Sequence, residues 1–260
     1  MKGLTIRDLK RKKSSGEKIV MVSTYDYLSA QLCESAGVDC LLVGDSLGMV
    51  FQGNQSTLSV TLEEMIYHAR AVRRGAPNSF IIVDMPFMSY QLGPEQALIN
   101  CSKVMKETGA NAVKLEGGAY LSDTIKKLLQ AGIPVVGHVG LTPQSVNLIG
   151  GYRLVGKGEE SSLVEKDAVA LDEAGVFMIV FESVPMEIPK RLSEKINAIS
   201  IGIGAGPYCD GQVLVFHDLV GMTPKSPKFV RRYMNAYESM MSALESFIKE
   251  VKSGKFPEEE

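Results

Sequence analysis

Eight apolar runs of strand length recur along this chain, at residues 19–23, 40–44, 80–84, 112–116, 134–138, 177–182, 198–203 and 213–216. They alternate with helical patterns, and strand then helix, repeated, argues for a parallel sheet whose crossovers are right-handed. Eight units is the number at which such a sheet closes, so the expected fold is a (β/α)8 barrel. The 260 residues, 45% of them apolar, are about what one barrel uses, and 1–260 are expected to form a single barrel domain.

The helices between the runs carry physical start and stop signals. Thr61 followed by Glu64 is a capping box that opens a stripe of Leu62, Met65, Ile66, Ala69 and Val72, closed by Arg73, Arg74 and Gly75. Pro94 and Pro143 stand where a first helical turn tolerates a missing amide hydrogen. A final helix is expected over 228–251, with Val230, Tyr233, Met234, Tyr237, Met241, Leu244 and Ile248 on one face. The interval between Gly206 and Val213 is too short for a crossover helix between parallel strands. Either the seventh helix is vestigial or the GQVLVFHDLVG segment is itself mostly helix.

Composition excludes several classes of function. A net charge of −2 gives no broad positive field for nucleic acid, and no apolar stretch reaches the ~20 residues that span a bilayer. The basic start MKGLTIRDLKRKKSSGEK has no continuous apolar core, so a secretory signal is not expected, and Lys10 to Lys13 read as a solvated helix end. The cysteines Cys33, Cys40, Cys101 and Cys209 form no CxxC pair, which fits reduced, packed thiols in a cytoplasm.

Three of the apolar runs end on acids: CLLVGDS on Asp45, FIIVDMP on Asp84 and AVKLEGG on Glu116. They recur about 35 residues apart, the length of a strand-plus-helix unit, so the three carboxylates can converge at the carboxyl end of a barrel. One such acid alone would be read as the cap of the next turn; three in successive units point to a site. Three hard oxygen ligands suit an octahedral Mg2+ that keeps positions open for water or substrate. His68, His138 and His217 are scattered without the spacing of a zinc site.

Lys114 precedes Glu116 by two residues, so a strand puts both on the same face, inside the barrel. Its ammonium can offset the excess charge of three carboxylates around a divalent ion and reach an anionic substrate; a purely structural ion pair with Glu116 is the competing reading. His138 and Glu182 end the fifth and sixth runs, across the same mouth. Glu182 follows MIVF, and desolvation there raises its pKa toward the range of a general base. The run IGIGAG has the wrong spacing for a dinucleotide loop and points to close backbone packing. The loops 49–61 and 141–160 are long, polar or Gly-rich, and are candidate lids. A divalent ion beside a positioned base suggests proton abstraction next to a carbonyl, with an enolate to be stabilised.

The segments TYDY (24–27), LLVGDSLGMV (41–50), HARAVRRGAPN (68–78), VKLEGG (113–118), GHVGLTPQSVN (137–147), IGIGAG (201–206) and DGQVLVFHD (210–218) together resemble the ketopantoate hydroxymethyltransferase family, over about residues 3–256. The resemblance implies a TIM barrel of the phosphoenolpyruvate/pyruvate superfamily type with an extra N-terminal helix. It implies transfer of a one-carbon unit from 5,10-methylenetetrahydrofolate to 3-methyl-2-oxobutanoate on the pantothenate route. By motif, Asp45, Asp84 and Glu116 match the magnesium ligands. Asp45, Ser46, Asp84 and Lys114 match residues that hold the oxo acid, His138 a residue near it, and Glu182 the proton acceptor. The INAIS segment before IGIGAG lacks the proline often found there. The family is usually a ring-like homodecamer, and the apolar faces of the terminal helices are the expected interface. Two rival readings stand beside this one. A C–C lyase or mutase of the same superfamily would share the acids and need no folate; a catalytically silent barrel would bind a small acid and leave it unconverted.

Overall fold

The structure, a computed structural model, describes residues 3–258. Two compact units divide the chain, residues 1–214 and 215–260. The first opens with α1 (Ile6–Ser15), β1 (Ile19–Ser23), α2 (Tyr27–Ala36), β2 (Cys40–Val43), α3 (Leu47–Val50) and α4 (Leu62–Gly75). It continues with β3 (Phe80–Asp84), α5 (Pro94–Thr108), β4 (Ala112–Glu116), α6 (Ser122–Gln130), β5 (Val135–Gly140) and α7 (Val146–Ile149). Then follow α8 (Glu160–Ala174), β6 (Met178–Glu182), α9 (Glu187–Leu192), β7 (Ile199–Ile203) and β8 (Gly211–Val215). The strands pair in chain order as a closed parallel barrel, the fold the eight runs predict.

The helix signals act as expected where they are local. The Thr61 hydroxyl accepts from the amide of Glu64 at 3.2 Å and the Glu64 carboxylate accepts from the amide of Thr61 at 2.7 Å, so α4 starts on a complete capping box. Pro94 occupies the first turn of α5, whereas Pro143 opens only a single 3-10 turn, Pro143–Ser145. The β7–β8 connection is a short loop without a helix. Asp210 stabilises it by accepting from the amide and hydroxyl of Ser200 at 2.8 and 2.9 Å. Of the two alternatives for this interval, the vestigial crossover is therefore the one realised, and β8 begins at Gly211, two residues before the expected start.

The N-terminal helix α1 closes the barrel floor. Leu9 is fully buried in one cluster with Ile19, Cys40, Phe80, Ala112, Met178 and Ile199, residues at the amino-terminal ends of their strands. This corrects the reading of Lys10 to Lys13 as a solvated helix end for Lys12 and Lys13, whereas Lys10 and Arg11 are exposed as that reading requires. Lys12 pairs with Asp39 at 2.8 Å, and Lys13 donates to the carbonyls of Ile196 and Ala198 at 3.2 and 2.6 Å and pairs with Asp210 at 3.2 Å. Unsatisfied strand-end carbonyls and carboxylates need donors, and a run of lysines reads as surface only until a partner is near. Leu9→Ala is expected to cost about 2–5 kcal/mol by cavity formation, read from the urea midpoint; a change below about 1 kcal/mol would show that the floor does not depend on this side chain.

The second unit holds α10 (Phe216–Leu219) and α11 (Ala236–Lys252). The helix expected over 228–251 thus starts eight residues later. The amides of Tyr233, Ala236 and Tyr237 donate to the carbonyls of Leu219, Val220 and Gly221 at 2.8, 2.9 and 3.0 Å, which pulls the preceding segment out of helical geometry. Along α11, Met241, Leu244 and Ile248 are about half exposed. Among the described residues the four cysteines are buried and form no disulfide, and no helix is long and apolar enough to cross a membrane.

Candidate active site

Strand ends deliver the acids. Asp84, Glu116 and Glu182 are the last residues of β3, β4 and β6, and Asp45 lies two residues beyond β2. Gly44 makes the approach possible: a Cβ there would meet Ser46 Oγ at 2.9 Å, Ser23 Oγ at 3.0 Å and Asp84 Oδ2 at 3.4 Å. The amide of Asp45 donates to Asp84 Oδ2 at 3.2 Å, and Ser46 Oγ lies 2.7 Å from the Tyr25 hydroxyl. At the sixth strand the backbone turns as soon as the carboxylate has been placed. Ser183 has a φ of 47°, held by its amide donating to Ile203 and its carbonyl accepting from Val155, both at 2.8 Å.

Lys114 and Glu116 share the interior face, as the period of two requires. The Lys114 ammonium is 2.5 Å from Asp84 Oδ1 and 3.8 Å from Glu116 Oε1. Burial works against this charge, and Asp84, Glu116 and Asp45 outweigh it, so its pKa is held above the ordinary lysine value. The acids feel the opposite imbalance. Burial, with the neighbouring carboxylates, raises Asp45 and holds Glu116 well above the usual range, because one ammonium does not neutralise three buried carboxylates.

His138 connects this cluster to Glu182. Its Nδ1 is 3.5 Å from Glu116 Oε1 and its Nε2 is 3.4 Å from Glu182 Oε2, and among the described residues neither nitrogen makes a hydrogen bond. Burial, aided by the Lys114 charge, pushes the imidazole well below its usual pKa, so it is neutral and has one proton to give to either side. Glu182 is the most open of the set, with 20% of its side chain exposed. Burial still pushes its pKa up to about 8; Lys114 opposes the shift, and Asp45 and Asp84 add to it.

The two expected lid loops touch each other. The Tyr152 hydroxyl donates to Met49 Sδ at 3.0 Å, and its pKa is raised first by burial and then by the charges of Asp45, Glu182 and Glu116. Among the described residues no three of His, Cys, Asp and Glu form a ready coordination set. Lys114 takes an oxygen of Asp84, while Gln144 takes one each from Asp45 and Glu116. The donor set nonetheless fits a hard divalent cation: all-oxygen, buried, and short of positive charge.

A family model described as Ketopantoate hydroxymethyltransferase matches residues 3–259. The chain belongs to this family. It is 55% identical to the 3-methyl-2-oxobutanoate hydroxymethyltransferase of Aquifex aeolicus over 99% of this chain and 98% of that one. It is 50% identical to that of Ignicoccus hospitalis, over 100% and 98% of the two chains. Among solved structures, 2,3-dimethylmalate lyase, a PEP mutase/isocitrate lyase superfamily member, superposes with a TM-score of 0.62 at 15% identity, over 98% of this chain and 90% of that one. Phosphonopyruvate hydrolase in complex with oxalate and Mg++ does so with a TM-score of 0.64 at 13% identity, over 96% and 88%. These two share the barrel with this ketopantoate hydroxymethyltransferase family member, and its full-length relatives of 50–55% identity show it to be an enzyme.

Every site residue singled out from the sequence lies at this mouth: Asp45, Ser46, Asp84, Lys114, Glu116, His138 and Glu182. Tyr25, Gln144 and Tyr90, whose hydroxyl accepts from the amide of Glu116 at 3.1 Å, were given no role by sequence reasoning. Tyr25 and Gln144 lie within the TYDY and GHVGLTPQSVN segments of this hydroxymethyltransferase family, which marked the segments without singling out the side chains.

Proposed function

We propose that the enzyme transfers a hydroxymethyl group from 5,10-methylenetetrahydrofolate to 3-methyl-2-oxobutanoate, giving 2-dehydropantoate, with Mg2+ held by Asp45, Asp84 and Glu116. The observation that carries this reading is the placement of a carboxyl of raised pKa, Glu182, beside a neutral imidazole and across from an ammonium bound into three acids. Glu182 accepts the proton from C3 of the oxo acid, whose C–H electrons become the enolate. Lys114 and the hydroxyl of Ser46 hold the anionic oxygens, and the low dielectric of a buried site strengthens both contacts. A bound Mg2+ supplies Lewis-acid stabilisation of the developing negative charge. C3 then forms a new carbon–carbon bond to the methylene carbon of the co-substrate and water provides its hydroxyl oxygen, while both C–N bonds of that methylene break with their electrons left on the two folate nitrogens, which take up the proton held by Glu182 and one from the water as tetrahydrofolate departs. His138, between Glu116 and Glu182, is placed to share a proton with the base. The two loops touching through Tyr152 and Met49 limit the access of bulk solvent to the enolate. A cytoplasmic homodecamer belongs to the same proposal, supported by the half-exposed apolar side chains of α11.

Mass spectrometry of mixtures with both substrates, with Mg2+ or with EDTA, tests the reading. Product of the mass of 2-dehydropantoate is expected with Mg2+ and is expected to disappear with EDTA or without the folate. Conversion that proceeds unchanged without the folate would sink the reading and favour a C–C lyase or mutase.

A further inference from the structure

Gln144 spends its whole hydrogen-bonding capacity on the acid cluster and its supports. It sits in the 3-10 turn after β5 and is 6% exposed. Its Nε2 donates to Asp45 Oδ2 and to the carbonyl of Met85, each at 2.9 Å. Its Oε1 accepts from the Tyr90 hydroxyl at 2.8 Å and from Gln91 Nε2 at 3.1 Å. Its backbone amide, freed by the start of the turn, donates to Glu116 Oε2 at 3.0 Å. A single residue beyond β5 therefore ties the segments that follow β2 and β3 to the last residue of β4.

The chemistry of the amide matters. Asp45 and Glu116 repel each other, and each keeps a fixed orientation only if one of its oxygens is tied back. A lysine in this position would add a charge that competes with a cation, and a glutamate would add repulsion; the neutral side-chain amide orients Asp45 and leaves the charge of the cluster unchanged, while the backbone amide of the same residue holds Glu116. With Glu116 Oε2 tied, its Oε1 faces Lys114 and His138. Groups that orient metal ligands in this way are worth about 10–100-fold in metal affinity.

We propose that Gln144 is a positioning residue whose side chain locks Asp45 in the orientation a divalent cation needs, opposite a Glu116 already held by the backbone amide of the same residue; this rests on the magnesium reading given above. The test is calorimetric titration of Mg2+ into wild type, Gln144→Ala and Gln144→Met, with folding followed by circular dichroism. Met keeps the volume and the net charge and removes only the side-chain hydrogen bonds, so it carries the test if the Ala variant fails to fold. A 10–100-fold weaker Mg2+ affinity in the folded Met variant is the expected result. Affinity within twofold of wild type in that variant overturns the proposal and leaves the magnesium reading intact. Wild-type protein that binds no Mg2+ overturns both.

Discussion

Glu182→Gln is expected to reduce turnover by about 10²–10⁴-fold, the contribution of a positioned general base, while 3-methyl-2-oxobutanoate still binds. The amide keeps the shape of the side chain and removes only its capacity to take a proton. Steady-state kinetics paired with equilibrium binding of the oxo acid separate the two effects, and turnover within tenfold of wild type would remove Glu182 from the mechanism. The same variant reports the burial of the carboxyl through stability. Folded Glu182 titrates at about 8 and an unfolded glutamate at about 4.3, so the folded state holds the proton throughout that interval. The stabilisation is fully present below the unfolded pKa and is lost as the pH rises through the folded one. Relative to Glu182→Gln, metal-free wild type should thus lose roughly 4 kcal/mol between pH 5 and 8.5. Parallel urea curves for the two proteins at both pH values would show that the carboxyl is not perturbed.

Lys114→Met is expected to destabilise the metal-free protein by about 3–5 kcal/mol, the usual effect of deleting one partner of a buried ion pair. The methionine replaces the stem of the lysine almost isosterically, so packing is preserved and the loss is electrostatic. Asp84 loses its partner at 2.5 Å, and Asp45 and Glu116 lose the only cation that offsets them within the cluster. Binding of the oxo acid should fall with it, since the same ammonium is assigned to its anionic oxygens. Unfolding in urea measures the first effect and calorimetric binding the second. A variant as stable as wild type would mean that the acids are neutral in the folded protein and that Lys114 is dispensable to the cluster.

What the sequence revealed depended on how local the cause was. Strand ends were legible because apolar runs stop where the backbone meets solvent at the barrel rim, which is how Asp84, Glu116 and Glu182 were found at the carboxyl ends of their strands. The start of α4 was legible because its cap is made by residues three apart. Lys12 and Lys13 were misjudged because their partners, Asp39, Ile196, Ala198 and Asp210, are remote in sequence. The start of α11 was misjudged because a continuous apolar stripe says nothing about amides captured by carbonyls 14 to 16 residues earlier. Gln144 escaped notice for a chemical reason: glutamine is common and uncharged, and only its placement 2.9 Å from an aspartate 99 residues away gives it a role.

The lysines of α1 also fix when the barrel can be finished. Lys13 emerges from the ribosome long before the carbonyls of Ile196 and Ala198 and the carboxylate of Asp210 exist, and the amide of Ile19 waits equally long for the carbonyl of Asp210. Closure of the floor is therefore a late event of large loop entropy, and until residue 210 has been made the nascent chain carries Leu9 and the open edge of β1 without their final partners. Such an edge is a template for wrong pairing, so the interval between synthesis of the first strand and the last is the stage at which this protein most needs protection from its neighbours.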